Sequence, residues 1–120
     1  MKKVIIVEDN LLISVLYKHY LKKLNYKIIA DFTTGEEAID FVKSEVVDLI
    51  IMDIMLDGEM DGVETMIEIR KAVSAPVIFA SSNSDDLNYK RATEISNSIF
   101  LVKPVAECDF LQTVKNVEEA

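Results

Sequence analysis

Asp48-Leu49-Ile50-Ile51-Met52-Asp53 sets four consecutive apolar residues between two carboxylates. An apolar run that does not alternate with polar residues suits a strand covered on both faces. Such burial is characteristic of parallel sheets sandwiched by helices. The pattern recurs on either side of this run. Val4-Ile5-Ile6-Val7 lies toward the N-terminus, with a weaker run at Lys27-Ile28-Ile29-Ala30. Val77-Ile78-Phe79-Ala80 and Ile99-Phe100-Leu101-Val102 lie toward the C-terminus.

The segments between these runs have helical period. Leu12, Leu16, Tyr20 and Leu24 fall four apart with Ile13 beside them, and Lys18, Lys22 and Lys23 take the other face. This spacing predicts a core stripe and a solvated face, with Asn25 ending the helix. Thr34 is placed to cap a second helix, with Glu36 and Glu37 in its first turn and Ala38, Ile39 and Val42 inward. Val63, Met66, Ile67 and Arg70 mark a third helix, and residues 84–96 a fourth, more polar one. Residues 106–118 form a fifth, with Phe110, Leu111, Val114 and Val117 inward. Strand and helix thus alternate five times, the pattern of a doubly wound α/β sheet. Right-handed crossovers leave few arrangements, and five parallel strands suit the flavodoxin-like order 2-1-3-4-5.

A chain of 120 residues, half of them hydrophobic, is expected to form one domain over 1–120. The lone cysteine, Cys108, excludes an internal disulfide and fits a reducing compartment. No leader pattern and no apolar run of membrane length is present, so a soluble cytoplasmic protein without a membrane partner is expected. The formal charge of −8 repels phosphate backbones, so direct nucleic-acid binding by this segment is not expected.

In open α/β sheets, sites form at the carboxyl ends of the strands. The polar residues there are Glu8 and Asp9 after the first strand, Asp53 ending the third, Ser81 and Ser82 after the fourth, and Lys103-Pro104 after the fifth. In the expected order the three carboxylates converge, facing a hydroxyl and an amine. Two unit charges about 5 Å apart repel by about 3 kcal/mol at an effective dielectric near 20. Either a pKa rises or a cation binds. An oxygen-rich, hydrated site suits Mg2+. Taken singly, an acidic pair after a strand is usually just solvated and Lys-Pro usually just a turn. The signal is that all four features fall at the correct ends of four strands.

Val7-Glu8-Asp9-Asn10, Asp48 through Asp53, Met60-Asp61-Gly62-Val63-Glu64, Pro76-Val77-Ile78 through Ser81, and Phe100-Leu101-Val102-Lys103-Pro104 together resemble the receiver domains of two-component response regulators. The resemblance covers essentially the whole chain. It implies that Glu8, Asp9, Asp53 and the Met55 carbonyl bind Mg2+. It implies that Asp53 accepts a phosphoryl group from a phosphohistidine on a sensor histidine kinase or phosphotransfer protein. Ser81 would bond the phosphoryl oxygen, Lys103 would pair with it, and the bond before Pro104 would be cis. Three departures stand out. The loop from Ile54 to Gly62 is one residue longer than usual and lacks the usual proline. Ser96-Asn97-Ser98 lacks the usual glycine. Ser82 stands where a small apolar residue is common.

The chemistry is consistent with these groups. Phosphoryl transfer needs an in-line nucleophile and neutralised equatorial oxygens. Asp53 is an ionised nucleophile that needs no base, Mg2+ and Lys103 neutralise charge, and Ser81 donates a hydrogen bond. The domain would catalyse only its own phosphotransfer and dephosphorylation. A phosphoryl group drawing the Ser81 hydroxyl inward would leave space for Phe100 to turn in, a switch weighed against Phe100 being simply core. Leu11 and Val15 fall outside the predicted core stripe and are candidates for docking the phosphodonor. The fourth helix, fifth strand and fifth helix would carry output, possible dimerisation included.

Three other readings compete with this one. An aspartyl-phosphate phosphatase usually carries a second acid two residues after the nucleophile, where this chain has Met55. A nucleotide or flavin module needs an anion cradle, where this chain has Glu8-Asp9. A pseudo-receiver binding partners without phosphorylation is the remaining alternative. His19 reads as surface, Cys108 as an ordinary helix residue, Met52 and Met66 as packing, and Met55 and Met60 as loop residues flanking the site. Asp57, Glu59 and Asp61 read as a solvated loop.

Overall fold

The computed structural model describes residues 1–82 and 86–119. The elements run β1 (Lys3–Val7), α1 (Leu11–Lys23), β2 (Lys27–Phe32), α2 (Gly35–Val42), β3 (Leu49–Asp53), α3 (Gly62–Ile69), β4 (Val77–Ser81), α4 (Asp86–Thr93), β5 (Ser98–Val102) and α5 (Glu107–Glu119). The five strands form one parallel sheet in the order β2-β1-β3-β4-β5. This is the architecture expected from the uninterrupted apolar runs.

Alternate residues of the inner strands feed two cores. Val4, Ile6, Leu49, Ile51, Ile78 and Ala80 pack beneath α1 and α5, against Tyr17, Leu21, Phe110 and Val114. Ile5, Val7, Ile50, Met52, Val77 and Phe79 face α2, α3 and α4, against Ala38, Val42, Val63, Met66 and Ala92. Every residue of β3 and β4 is buried, so these strands fix the sheet's centre. At about 25 cal/mol per Å2 of apolar surface removed from water, each such side chain contributes about 1.5–3 kcal/mol to the fold. Ile99 and Val102 of β5 are exposed, because β5 is an edge strand, although its sequence reads like the buried ones.

Local chemistry sets the helix ends. Asn10 caps α1, accepting from the backbone N–H groups of Leu12 and Ile13. Thr34 caps α2 by accepting from Glu37, as its position predicted. Asn25, after α1, has φ 63°, and Asn97, before β5, has φ 56°. Asparagine tolerates this left-handed region better than most side chains, which is how the turn forms at Asn97 without the usual glycine.

The predicted core stripe of α1 is wrong in phase. Leu12 and Leu16 are 78% and 49% exposed, whereas Ser14, Tyr17 and Leu21 are buried. Tyr20, Leu24 and Ile13 are only half-buried at the margin. Ile67 of α3 also faces solvent. The fourth helix is shorter than the predicted 84–96, and residues 84 and 85 of that range lie outside the described residues. Among the described residues, no helix is long and apolar enough to cross a membrane.

Candidate active site

The parallel register places the ends of β1, β3, β4 and β5 along one rim. Val7 lies opposite Met52, Asp53 opposite Ala80, and Ser81 opposite Val102. Glu8 and Asp9 therefore leave β1 beside Asp53, and Lys103 leaves β5 on the far side of Ser81. One carboxylate oxygen from each of Glu8, Asp9 and Asp53 lies within 4.8 Å of the others. Glu8 and Asp53 are buried and Asp9 is half-exposed, so the cluster opens to solvent on the Asp9 side.

Lys103 enters from β5. Its Nζ donates to Glu8 Oε1 at 2.5 Å and lies 3.2 Å from Asp53 Oδ2. The backbone N–H of Lys103 donates to the Ser81 carbonyl at 2.8 Å, which fixes the start of the lysine side chain. The Lys103-Pro104 bond is cis, as the resemblance implied. Ser81 is fully buried at the end of β4.

One cation does not balance three carboxylates. Burial, the largest influence, pushes the Glu8 carboxyl above its ordinary value, and Asp53 adds to the shift while Lys103 opposes it. Burial also raises Asp53, against the pull of Glu8 hydrogen bonding and the Lys103 charge. Asp9 is raised by burial and then by Glu8. For Lys103, burial works against the charged form, but Glu8 and Asp53 outweigh it and hold the ammonium protonated. The site holds excess negative charge, and its hard oxygen donors fit a small divalent cation.

Asp53 is followed by a loop, residues 54–61, anchored at several points. The Gly62 N–H donates to the Ile54 carbonyl at 2.7 Å. A Cβ on Gly62 would lie 2.0 Å from the Asp53 carbonyl oxygen, so only glycine lets α3 start this close to Asp53. The Met60 N–H donates to Glu36 Oε1 at 3.1 Å, and Asp57 forms an isolated β-bridge with Thr34. Gly58 turns the loop at φ 91°. The extra residue is thus accommodated by docking on the start of α2, without the usual proline.

Asp61 is more than a solvated loop residue. It caps α3 in a capping box with Glu64, and its carboxylate receives both terminal nitrogens of Arg91, at 2.9 and 3.3 Å. The capping half of this role was legible in the Asp61-x-x-Glu64 spacing; the Arg91 half had no sequence signal. Met55 is exposed two residues beyond Asp53. Phe100 is half-buried against the α2–α4 core, its ring edge-on to Tyr89 with centroids 5.3 Å apart. Leu11 and Val15 are exposed, and Leu12 and Leu16 join them. Leu16 also lines an apolar groove of about 320 Å3 with Ile13, Tyr17, Tyr20, Pro104 and Val105, and Ser82 and Lys103 are part of its lining.

Comparison with known proteins agrees with this architecture. The family model for the response regulator receiver domain matches residues 4–115. The transcriptional regulatory protein YvrH of Bacillus subtilis (strain 168) is 35% identical over 101 residues, which are 84% of this chain and 42% of the relative. The chain therefore spans less than half the length of that relative. The signal receiver domain of a modulated diguanylate cyclase from Desulfovibrio desulfuricans superposes with a TM-score of 0.88 at 31% identity, covering 99% of this chain and 94% of the other. The receiver domain of a Pseudomonas aeruginosa sensor histidine kinase, with a magnesium ion coordinated in its active-site cleft, has a TM-score of 0.85. At 21% identity over 99% of this chain and 98% of the other, its likeness is one of fold. With the family model matched over nearly its whole length and the acidic rim, Ser81 and Lys103 assembled at the strand ends, the chain belongs to the response regulator receiver domain family of two-component signalling.

Proposed function

We propose that this domain takes a phosphoryl group on Asp53 from a phosphohistidine, with Mg2+ held by Glu8, Asp9, Asp53 and the Met55 carbonyl. The carrying observation is the acidic cluster itself: three carboxylates drawn together, all raised in pKa, with Lys103 alongside. Such a cluster costs stability unless a cation occupies it, so its presence argues for a cation-dependent task. A bound Mg2+ supplies charge neutralisation at the transferring phosphoryl group. An Asp53 carboxylate oxygen forms the new bond to phosphorus as the phosphohistidine P–N bond breaks. Lys103, 3.2 Å from Asp53, is placed to neutralise a phosphoryl oxygen there. Ser81 offers its hydroxyl as a donor to the same group. Phe100 then follows Ser81 inward as the switch, leaving its edge contact with Tyr89.

The phosphodonor, a histidine kinase or phosphotransfer protein, docks on the exposed apolar side of α1, at Leu11 and Val15 with Leu12 and Leu16. Two features support this surface: α1 starts directly after the Glu8-Asp9 pair, and Leu16 shares an apolar groove with Lys103. Output passes through α4, β5 and α5, where Tyr89, Ile99 and Val102 are exposed, and dimerisation there is one form it takes. The domain works in the cytoplasm.

The test is phosphorylation by acetyl phosphate with Mg2+, followed by intact mass. One phosphoryl group is expected on the wild type and none on Asp53→Asn. Equal labelling of the variant rejects Asp53 as the acceptor, and an unlabelled wild type favours a phosphorylation-independent binding module.

A further inference from the structure

The loop that follows Asp53 ends on Asp61, and Asp61 ties α4 to that loop through an ion pair. Arg91, in the last turn of α4, reaches the Asp61 carboxylate with two nitrogens, at 2.9 and 3.3 Å. Its Nη1 also takes the Asn88 side-chain oxygen at 3.2 Å, so the guanidinium is oriented from its own helix as well. The hydrogen bond that Arg91 donates to Asp61 raises the Arg91 pKa despite partial burial, in keeping with a charge-assisted fork. Asp61 is held firmly on its own side: its carboxylate caps Glu64, and its carbonyl accepts from the Thr65 N–H and hydroxyl. Elsewhere α4 is held by Ala92, which is buried and whose carbonyl accepts from the Ser98 hydroxyl at 3.1 Å, and by Tyr89, which touches Phe100 at a ring edge.

We infer that the Arg91–Asp61 pair is a coupling element, carrying the state of the Asp53 site to α4 through the loop of residues 54–61. This rests on the proposed phosphoacceptor function and adds a second route beside the Ser81–Phe100 switch. The loop starts at the nucleophile and includes Met55. Any rearrangement at Asp53 moves one end of a nine-residue segment, 53–61, whose other end grips α4. Short, bidentate and partly shielded from solvent, the pair transmits displacement where an exposed lysine contact would slacken. Arg91 is a positioning residue and touches none of the reacting groups. Coupling of this kind is a free energy between two sites and is measured as such.

The experiment is amide hydrogen exchange of the full chain, with and without beryllofluoride and Mg2+ as phosphoryl mimic, on wild type, Arg91→Gln, Arg91→Lys and the Arg91→Gln/Asp61→Asn double variant. In the wild type, peptides from 54–61 and from 86–93 both change exchange on adding the mimic. In Arg91→Gln the change at 54–61 persists and the change at 86–93 falls to about half or less, with Arg91→Lys in between. The double variant shows no loss beyond the single one, because one interaction has been removed once. Acetyl phosphate labels wild type and Arg91→Gln to the same extent. A full wild-type response of 86–93 in Arg91→Gln, or a loss in the double variant clearly beyond that of Arg91→Gln, overturns the coupling. A wild type that takes up phosphoryl but shows no response at 86–93 overturns the coupling alone. A wild type that takes up none overturns the phosphoacceptor reading together with it.

Discussion

Asp53 is a buried carboxylate with two other carboxylates within 4.8 Å and one ammonium at 3.2 Å. Its burial raises its own pKa, and the same burial makes its charge expensive to the fold. Removing that charge therefore stabilises the metal-free protein. Asp53→Asn keeps the shape of the side chain and leaves Lys103 its closer partner, Glu8 at 2.5 Å. The expected gain at neutral pH without Mg2+ is on the order of 1 kcal/mol, part of the repulsion of about 3 kcal/mol for like charges at 5 Å. That is a rise of a few degrees in Tm for a domain of this size. Thermal unfolding with and without Mg2+ checks it: the variant melts higher than wild type in chelator and gains less from the metal. A variant that melts lower in chelator would mean that the Lys103 contact outweighs the repulsion. Gly62 makes a companion point about legibility. Its position in the Asp-Gly pair is visible in the sequence, but the reason for it, the Asp53 carbonyl at the site of its absent Cβ, is a tertiary fact.

Helix α1 shows where the sequence pattern misled. Apolar residues at 11, 12, 13, 15, 16, 17, 20, 21 and 24 run most of the way around the helix, so several four-residue spacings fit equally well. The stripe through Leu12 and Leu16 is continuous in sequence, but the sheet takes the one through Tyr17 and Leu21, with the small Ser14 buried on the same face. Tyr17 stacks on Phe110 at 4.9 Å, a pairing with a residue far along the chain that helical period cannot reveal. The leftover leucines, exposed on α1, are then available to the proposed docking surface. Leu12→Asp with Leu16→Asp should change stability by no more than about 0.5 kcal/mol, the usual range for exposed sites. Labelling by acetyl phosphate should persist. Transfer from the cognate phosphohistidine protein should fall by at least about tenfold, equivalent to 1.4 kcal/mol of docking energy. Tyr17→Ala is the contrasting variant, expected to cost about 3–5 kcal/mol as a large core truncation. Unfolding curves and single-turnover transfer rates separate the two cases, and unchanged transfer by the double aspartate variant removes α1 as the docking surface. Strand β5 misled more mildly. Its apolar run matches the inner strands, but composition alone does not mark it as an edge.

Across the molecule, what was legible is what repeats. Uninterrupted apolar runs and a β-α alternation reduce the topology to few choices, and the strand-end rule then gathers Glu8, Asp53, Ser81 and Lys103 from four separate strands. Glu8 and Lys103 are 95 residues apart and meet at 2.5 Å. Contacts that arise only once helices pack, such as Arg91 with Asp61, carry no such pattern. The gathered charge also governs how the whole fold responds to pH. Glu8, Asp9 and Asp53 all have folded pKa values above their unfolded ones. Through that interval the folded state binds more protons than the unfolded chain, so stability falls as pH rises. This is opposite to the behaviour of salt-bridged carboxylates with depressed values. Lys103 has a raised folded value, so its contribution is lost only at alkaline pH, as pH rises through that value, well outside this interval. A divalent cation held by the ionised cluster, as proposed, would compete with its protons, so the stabilisation it confers, RT ln(1 + [L]/Kd), should grow as the carboxyls ionise. The Tm increment from a fixed Mg2+ concentration should therefore be largest at about pH 8 and shrink steadily toward about pH 5, as protons reclaim the cluster. In Asp53→Asn, the same titration should give a small increment with little dependence on pH. Differential scanning calorimetry at constant ionic strength, with Na+ replacing Mg2+ in the control, makes the measurement. An increment of equal size at both ends of the range would mean that the stabilising cation binds away from Glu8, Asp9 and Asp53.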